Sequence, residues 1–373
     1  MSDLSVLVGN GLSVAYNPEL NLASITQEML ERVEREGDAG SDVLRAMKEI
    51  ARRALPEGAT TDDDFEIIVG AFGSETRTLG YLGELATLTS PADEDLKAAL
   101  DRVTTFAEQV RDAGISRVLE IIFERSKMRH SDASGLFRLL RAIVGKFDGR
   151  VTFANLNYDT LLLAALIHLY RDSLADMAQG NRSGSVTTDG VRYNVPPLRR
   201  RGDLPDERRL RLLHLHGSLT YWTNRERTGF VKLDRSFLQT HSQWVAVREG
   251  QTNVRPVVVL ANQRDKQAHV EDFPFSLAYE MFAASIAETN RWLIVGYSFR
   301  DACVNDVMRE QFRSRSDKPT VLVSTFGDSP SRREVEVALG WGAEDGDSSQ
   351  RILFHRGGAF DLASSDEWST FSA

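Results

Sequence analysis

Apolar positions follow two different spacings, which divide the chain into a helical part and a part of mixed strands and helices. After a short apolar run at 4–9, apolar side chains recur every three or four residues from about 20 to 147. From residue 150 onward, short apolar runs typical of buried strands alternate with helical segments. We expect strands at 150–156, 214–216, 255–261, 292–297, 319–324 and 352–355, and helices at about 159–170, 274–288, 302–314 and 331–339. The polar stretch at 175–209 is expected to be an irregular loop.

This alternation is typical of a mainly parallel sheet that is covered by helices on both faces. The sequence therefore predicts an α/β fold with a Rossmann-like, mainly parallel sheet and a large all-helical insertion between its first and second strands. Residues 1–19 and 148–373 are expected to form the sheet domain, and residues 20–147 the helical insertion subdomain.

Composition and charge exclude several classes of protein. The chain has 373 residues, a net charge of −9 and one cysteine, Cys303, which excludes an intrachain disulfide and any site with several cysteine ligands. No apolar run approaches the roughly 20 residues that span a bilayer, and the acidic start lacks the features of an export signal. We therefore expect a cytoplasmic protein with no membrane association and no direct nucleic-acid binding. The basic run from Arg199 to Arg211 is either a solvated face or a surface for nucleic acid or a partner.

Two glycine-containing turns follow predicted strands. Their glycines and polar residues are Gly9, Asn10, Gly11, Ser13, Gly296 and Ser298. Glycines at such positions let the backbone approach a pyrophosphate closely. Val14 occupies the place of the third glycine in the full dinucleotide fingerprint, so ordinary turns between strand and helix are the alternative.

Polar side chains also follow two other predicted strands. Asn157 and Asp159 end the second strand, where they can contact a ligand or cap the next helix. Strand alternation is expected to place His214 and His216 on the same side. His214 is expected to be structural, whereas His216 at the strand end is placed for proton transfer. No acidic or cysteine residue with ligand-like spacing accompanies the two histidines, so we expect no metal site.

Taken together, the four segments resemble the sirtuin-like superfamily. They are Gly-Asn-Gly-x-Ser, Asn-Tyr-Asp, Leu-His-Gly-Ser and Gly-Tyr-Ser-Phe-x-Asp, in this order and each after a predicted strand. The likeness covers about residues 1–20 and 150–325, and within the superfamily it is to the bacterial NAD⁺-consuming branch of antiviral defence. Two departures are clear: one cysteine cannot build the four-cysteine zinc module of protein-deacylating sirtuins, and the family's Thr-Gln pair is Asn155-Leu156 here.

The resemblance implies a role for each candidate residue. It makes His216 the catalytic general base, and it makes Asn157 the residue that orients the ribose and the nucleophile. Asp159 is implied to hold the carboxamide of nicotinamide. The residues implied to bind the rest of NAD⁺ are Gly9, Asn10, Gly11, Ser13, Gly296 and Ser298.

The implied activity is hydrolysis of the nicotinamide–ribose bond, with NAD⁺ as the substrate and no metal. The expected role is an effector of bacterial anti-phage defence that acts by NAD⁺ depletion (abortive infection), held in check by oligomerisation or by a partner such as a HerA-type ATPase or a short Argonaute. The product is ADP-ribose or a cyclic form. The alternatives are a non-catalytic assembly or sensor subunit that binds NAD⁺ or ADP-ribose, and a protein deacylase or ADP-ribosyltransferase.

Apolar residues of the helical part indicate that copies of the chain assemble, and that this assembly controls the implied activity. They are Phe65, Ile67, Ile68, Val69, Phe72, Leu79, Leu82, Leu85 and Leu88. This is more apolar surface than a peripheral insertion usually hides, and exposed patches of this kind mark interfaces. We expect a homo-oligomer interface built partly from these residues, with ordinary packing between the inserted helices as the alternative.

Overall fold

The computed structural model describes residues 2–35, 44–45, 48–49, 65–88, 94–127, 133–188, 191–202, 204–224, 226–239, 241–260, 263–342 and 345–373. Its strands are β1 (Leu4–Val8), β2 (Val151–Asn155), β3 (Leu174–Asp176), β4 (Gly184–Thr188), β5 (Val191–Val195), β6 (Leu210–His214), β7 (Gly217–Asn224), β8 (Phe230–Lys232), β9 (Val254–Val258), β10 (Arg291–Val295), β11 (Thr320–Ser324) and β12 (Ile352–His355). Seven of them form a parallel sheet in the order β12-β11-β10-β1-β2-β6-β3.

Helices lie on both faces of this sheet, and several helices come between β1 and β2 in the order of the chain. They are α1 (Asn10–Tyr16), α2 (Leu22–Glu34), α3 (Phe65–Leu88), α4 (Glu94–Arg125), α5 (Ser134–Lys146), α6 (Leu161–Tyr170), α7 (His241–Arg248), α8 (Gln263–Val270), α9 (Phe275–Glu288), α10 (Ala302–Ser314), α11 (Arg332–Leu339) and α12 (Asp366–Ser372). The predicted fold class is therefore confirmed, including the large helical region between β1 and β2. Among the described helices, none combines the length and the apolarity that crossing a membrane requires.

Burial explains why the central strands are so apolar. Every residue of β1 and of β2 is buried, as expected for parallel strands covered on both faces. One face packs against α9, α10 and α11, and the other against α5, α6 and α12. Helix α5 thus belongs to the sheet layers although it lies before residue 147. The division into a sheet domain and an insertion remains a proposal, and this packing favours a boundary between α4 and α5.

A third apolar core joins the inserted helices to a small second sheet. Strands β8, β7 and β9 form this antiparallel sheet in that order. Its Trp222, together with Trp244 of α7, packs in one cluster with Phe65 and Ile68 of α3 and Leu119 of α4. Helices α2, α3 and α4 therefore pack against the segment that follows the catalytic-histidine candidate.

Three sequence expectations differ from the structure. The 175–209 stretch is not an irregular loop, because it contains β3 and the β4–β5 hairpin. The strand expected at 255–261 is β9, which pairs in the small sheet. The strand expected at 214–216 ends at His214, and Gly217 begins β7 instead of breaking a strand. Gly217 has φ of +85°, and a Cβ there would lie 2.1 Å from Val257 O, so only glycine fits this change of direction.

Candidate active site

The carboxyl ends of four neighbouring strands meet at one edge of the main sheet. The register pairs successive last residues across β10, β1, β2 and β6, namely Val295, Val8, Asn155 and His214. One or two residues after these positions stand Gly296, Gly9, Asn157 and His216. Strands β2 and β10 flank β1 on opposite sides, which makes this edge a topological switch point, the place where open α/β sheets bind ligands.

Three glycines bring two backbone turns into direct contact at this edge. Gly11 N donates a hydrogen bond to Gly296 O at 2.9 Å, and a Cβ on Gly9 would lie 2.5 Å from the same oxygen. Gly296 has φ of +65°, in the left-handed region that favours glycine. The two glycine turns noted in the sequence are therefore adjacent, and they leave no room for a side chain at Gly9 or Gly296.

Ser13, Asn157 and Asp159 form a buried hydrogen-bond network beside these turns. Ser13 Oγ donates to Asp159 Oδ2 at 2.6 Å and accepts from Asn157 Nδ2 at 2.9 Å. Asn157 Nδ2 also donates to Gly9 O at 3.0 Å, and Asp159 Oδ1 accepts from the N–H of Leu161 at the start of α6. Gly9 O can only accept, so the hydrogen bond that it receives from Asn157 Nδ2 determines the orientation of the amide. This fixes the amide with its nitrogen towards Ser13 and its oxygen on the other side.

Asn155 holds the backbone of Asn157. Its Nδ2 donates to Asn157 O and its Oδ1 accepts from Asn157 N, both at 3.2 Å. The same Nδ2 lies 3.4 Å from His214 Nδ1. Burial lowers the pKa of His214 to about 3, so this imidazole stays neutral near pH 7. These contacts favour a structural role for His214, which stays a prediction.

His216 lies in a separate cluster, and it faces Asp301. Its Nε2 is 3.1 Å from Asp301 Oδ2 and 3.3 Å from the hydroxyl of Tyr279. Asp301 is the N-cap of α10, where its Oδ1 accepts from the N–H of Val304 at 3.2 Å. The histidine is 4% exposed. His214 and His216 therefore have different surroundings and do not share one strand face, because the chain turns between them.

A buried lysine joins this cluster to the inserted helices. Lys266 Nζ lies 2.7 Å from Asp301 Oδ2 and 3.3 Å from Glu66 Oε2 in the first turn of α3. Lys266 is 5% exposed. The Tyr158 hydroxyl is 2.6 Å from Glu66 Oε1, and Tyr158 stands between Asn157 and Asp159 in the chain. The insertion thus contacts both halves of the candidate site.

Charges in the cluster determine which groups are ionised. Burial alone raises the pKa of Asp301, but His216 and Lys266 hold it well below its usual range. Burial lowers the pKa of Lys266, but Glu66 and Asp301 raise it overall above its usual value. Burial lowers the pKa of His216, as does the charge of Lys266, and Asp301 only partly opposes them. Near pH 7 the cluster therefore holds an ionised Asp301, a charged Lys266 and a neutral His216.

Sequence comparison identifies the family. A family model described as a SIR2-like domain matches residues 151–340, more than half of the chain, and this range contains three of the four motifs. The chain belongs to the SIR2-like domain family. The sirtuin-like superfamily expected from the motifs is thereby confirmed, and this is a fold of NAD⁺-using enzymes. A solved structure from work on the mechanism and regulation of Sir2 enzymes is similar at 11% identity and a TM-score of 0.37, covering 99% of this chain and 92% of that one. No curated protein matches the chain.

The SIR2-like chain brings together most, but not all, of the residues proposed to bind NAD⁺. Among the described contacts, neither Asn10 nor Ser298 joins the network. Asn10 is the first residue of α1, and Ser298 is exposed in the turn after β10. Asp159 carries a pKa raised by burial, against hydrogen bonds from Ser13 and the Leu161 N–H. Within the described ranges, no group of three His, Cys, Asp or Glu side chains is arranged to hold a metal ion.

Part of the basic run of this SIR2-like chain makes internal contacts, whereas Arg200 and Arg201 are exposed. Arg208 donates to Leu174 O, and Arg209 donates to Phe147 O and Val144 O. The guanidinium of Arg200 lies 4.8 Å from the ring centre of Phe273. Such contacts tie this segment to the edge of the sheet and to α5.

Sequence reasoning did not assign a role to three residues of the His216 cluster. Asp301 was visible as the last residue of the Gly-Tyr-Ser-Phe-x-Asp motif, so its proximity to a ligand edge could have been inferred. Lys266 and Glu66 carry no such signal, because each lies on a helix and neither belongs to a motif. Their contacts arise only from tertiary packing.

Proposed function

We propose that this SIR2-like chain is an NAD⁺ glycohydrolase that cleaves the nicotinamide–ribose bond. The observation that carries the proposal is the convergence of Asn157, the glycine turns and His216 at the carboxyl ends of adjacent strands. The single cysteine of the chain supports hydrolysis over protein deacylation, because it cannot build the zinc module of the deacylating sirtuins.

The chemistry requires few groups. Nicotinamide departs as a neutral molecule from a cationic state, so positive charge develops at C1′ of the ribose. Asn157 would direct its amide oxygen to a ribose hydroxyl or to the attacking water, since its nitrogen is held by Ser13 and Gly9. His216 would remove the proton from that nucleophile as a general base. Asp159 would keep Ser13 in place and, because a carboxylate oxygen accepts more than one hydrogen bond, would also accept from the carboxamide.

The proposal is tested by identifying the products of NAD⁺ by chromatography. Purified protein incubated with NAD⁺ and no acyl-peptide is expected to release nicotinamide together with ADP-ribose or a cyclic form, and equally so in EDTA. Release that requires an acyl-lysine peptide would instead indicate a deacylase. If no turnover occurs under any condition, including incubation with the proteins encoded beside it, the chain would instead be a non-catalytic NAD⁺-binding subunit.

We further propose that the enzyme acts in antiviral defence and is controlled by assembly of copies of this chain. An unrestrained NAD⁺ hydrolase would harm its own cell, so its activity must be conditional. The inserted helices present exposed apolar side chains that a monomer leaves in water, namely Tyr81, Leu82, Leu85, Leu88, Leu96, Val103 and Phe106. The earlier residues Phe65, Ile68 and Val69 are instead fully buried in the core, and the side chains of Ile67 and Phe72 lie outside the described residues. A partner such as a HerA-type ATPase or a short Argonaute stays part of the proposal.

Charge substitution on this exposed face is expected to lower both assembly and activity. Leu82 and Leu85 are 45% and 56% exposed, so Leu82→Asp with Leu85→Asp should not disturb the core of a monomer. A charge buried in an apolar interface is strongly unfavourable, and the oligomer mass and nicotinamide release should fall together. Mass photometry and product analysis measure the two. Val337→Asp on α11, at a similarly exposed apolar position, is the matched control. A wild-type monomer that is fully active at nanomolar concentration would contradict the role of assembly.

A further inference from the structure

Two ion pairs and one contact to a neutral imidazole connect the inserted helices to the catalytic-histidine candidate. Glu66 on α3 contacts Lys266 on α8, Lys266 contacts Asp301 at the start of α10, and Asp301 contacts His216. The side chains of Lys266 and Asp301 are each 7% exposed. We call Glu66, Lys266 and Asp301 the ionic lock. Removing one partner of such a buried chain leaves the others with uncompensated charge, so its members are expected to hold or to separate together.

The lock occupies the ring nitrogen that the proposed mechanism needs. Nε2 is the atom of His216 farthest from the backbone, and therefore the one that reaches towards a ligand. Nε2 lies 3.1 Å from Asp301 Oδ2 and 3.3 Å from the Tyr279 hydroxyl, so protein groups surround it. In this arrangement His216 is nearly unexposed, and a ligand cannot reach that nitrogen.

We infer that the ionic lock is an autoinhibitory contact, through which the inserted helices keep Asp301 against His216 and close the site to NAD⁺ until Glu66 moves away. Lys266 is the positioning residue of this device, because it links a carboxylate of the insertion to a carboxylate of the site. The inference rests on the proposed function and specifies its regulation.

Helix α3 offers a direct route by which a distant event can act on the lock. It is one helix of 24 residues, about 36 Å long at 1.5 Å per residue. Glu66 lies in its first turn, and the exposed Leu85 and Leu88 lie in its last two turns. A rigid helix transmits a displacement of one end to the other. Contact made on the exposed apolar face would thus be expected to shift Glu66 relative to Lys266.

The decisive variant is Glu66→Gln. Glutamine keeps an oxygen that can accept from the Tyr158 hydroxyl, but it removes the charge that faces Lys266. We expect nicotinamide release by dilute protein to rise about tenfold, the factor that corresponds to about 1.4 kcal/mol in the equilibrium between closed and open states. The matched control is Glu120→Gln, which removes another buried ion pair of the insertion, from Glu120 Oε2 to Arg248 at 2.6 Å, and should leave basal release unchanged.

A second readout does not depend on catalysis. Diethyl pyrocarbonate acylates accessible neutral imidazole nitrogens, and mass spectrometry of peptides reports each histidine separately. His216 should react about tenfold faster in Glu66→Gln than in the wild type, relative to the exposed His168 in the same sample. The rate should not change in Glu120→Gln. Thermal unfolding of each variant shows that the protein stays folded.

The pH dependence of Lys266→Met separates positioning from a general structural role. His216 is faced by Asp301, Tyr279 and Lys266, with Glu66 behind Lys266. Because the charge of Lys266 lowers the pKa of His216, its removal should move the acidic limb of the pH–rate profile to higher pH. A profile at the wild-type position would speak against that positioning role.

The outcomes distinguish the lock from the proposed function. If His216 becomes reactive in Glu66→Gln but no variant releases nicotinamide, the lock stands and the hydrolase proposal fails. If the wild type hydrolyses NAD⁺ and Glu66→Gln changes neither the rate nor the reactivity of His216, the hydrolase stands and the lock is overturned.

Discussion

His216→Ala is expected to lower nicotinamide release by on the order of 100-fold or more while the protein remains folded, the effect typical of removing a general base. The reason is chemical. His216 ends the turn after β6, at the switch-point edge of the sheet, and it is neutral near pH 7 because burial and the charge of Lys266 lower its pKa. Only the neutral form can accept a proton. Initial rates of nicotinamide release by the wild type and the variant measure the loss.

The pH dependence of the wild-type activity is a second test of His216 as the base. Activity of the wild type should fall as the pH falls through the pKa of His216, and that limb should lie below the usual histidine value of 6.5. His168→Ala, which removes an exposed histidine of α6, serves as the control and should retain the wild-type rate. A folded His216→Ala protein with near-normal turnover would exclude His216 as the base.

Much of the fold could be predicted because the main-sheet strands are short apolar runs between clear helical segments. The expected strand at 352–355 and the expected helix at 302–314 match β12 and α10. In contrast, β3, β4 and β5 are short and lie in a polar stretch, where edge strands leave little apolar signal. Val103 and Phe106 follow the helical spacing of apolar residues noted from about 20 to 147, yet both are exposed on α4. Sequence spacing shows which side chains share a helix face, but it does not show whether another element covers that face.

The candidate site could also be predicted only in part from the sequence. Residues that follow strands in a motif, such as Ser13, Asn157 and Gly296, could be placed together because parallel strands end at one edge. The partners of His216 could not be placed fully, because Lys266 and Glu66 are 200 positions apart and meet only through packing. A buried lysine is rare unless it is paired, and nothing in the helix sequence Gln-Arg-Asp-Lys-Gln indicates that this lysine is the buried one.

Asn157→Ala is expected to lower nicotinamide release by about 100-fold, comparable with the loss of a precisely placed polar group in other active sites. The structure gives the physical reason. Ser13 Oγ donates its one hydrogen to Asp159 and accepts from Asn157 Nδ2, while Gly9 O accepts from the same nitrogen. The amide oxygen is thereby directed away from Ser13, as an acceptor for a ribose hydroxyl or water. Alanine lacks that acceptor oxygen, and no neighbouring group can take its position.

Two further variants determine whether the orientation of the amide is what matters. Asn157→Asp keeps the shape and an acceptor oxygen but has no N–H for Ser13 and Gly9 O, so we expect a loss as large as that of alanine. Ser13→Ala leaves Asn157 with one partner and is expected to cost about 1–3 kcal/mol of stability through unsatisfied buried groups, with a smaller loss of rate. Asn194→Ala in the β4–β5 hairpin, at an exposed asparagine, should behave as the wild type. Full activity of folded Asn157→Asp would show that the hydrogen bonds to Ser13 and Gly9 do not orient the group, and the proposed role of Asn157 would then be wrong.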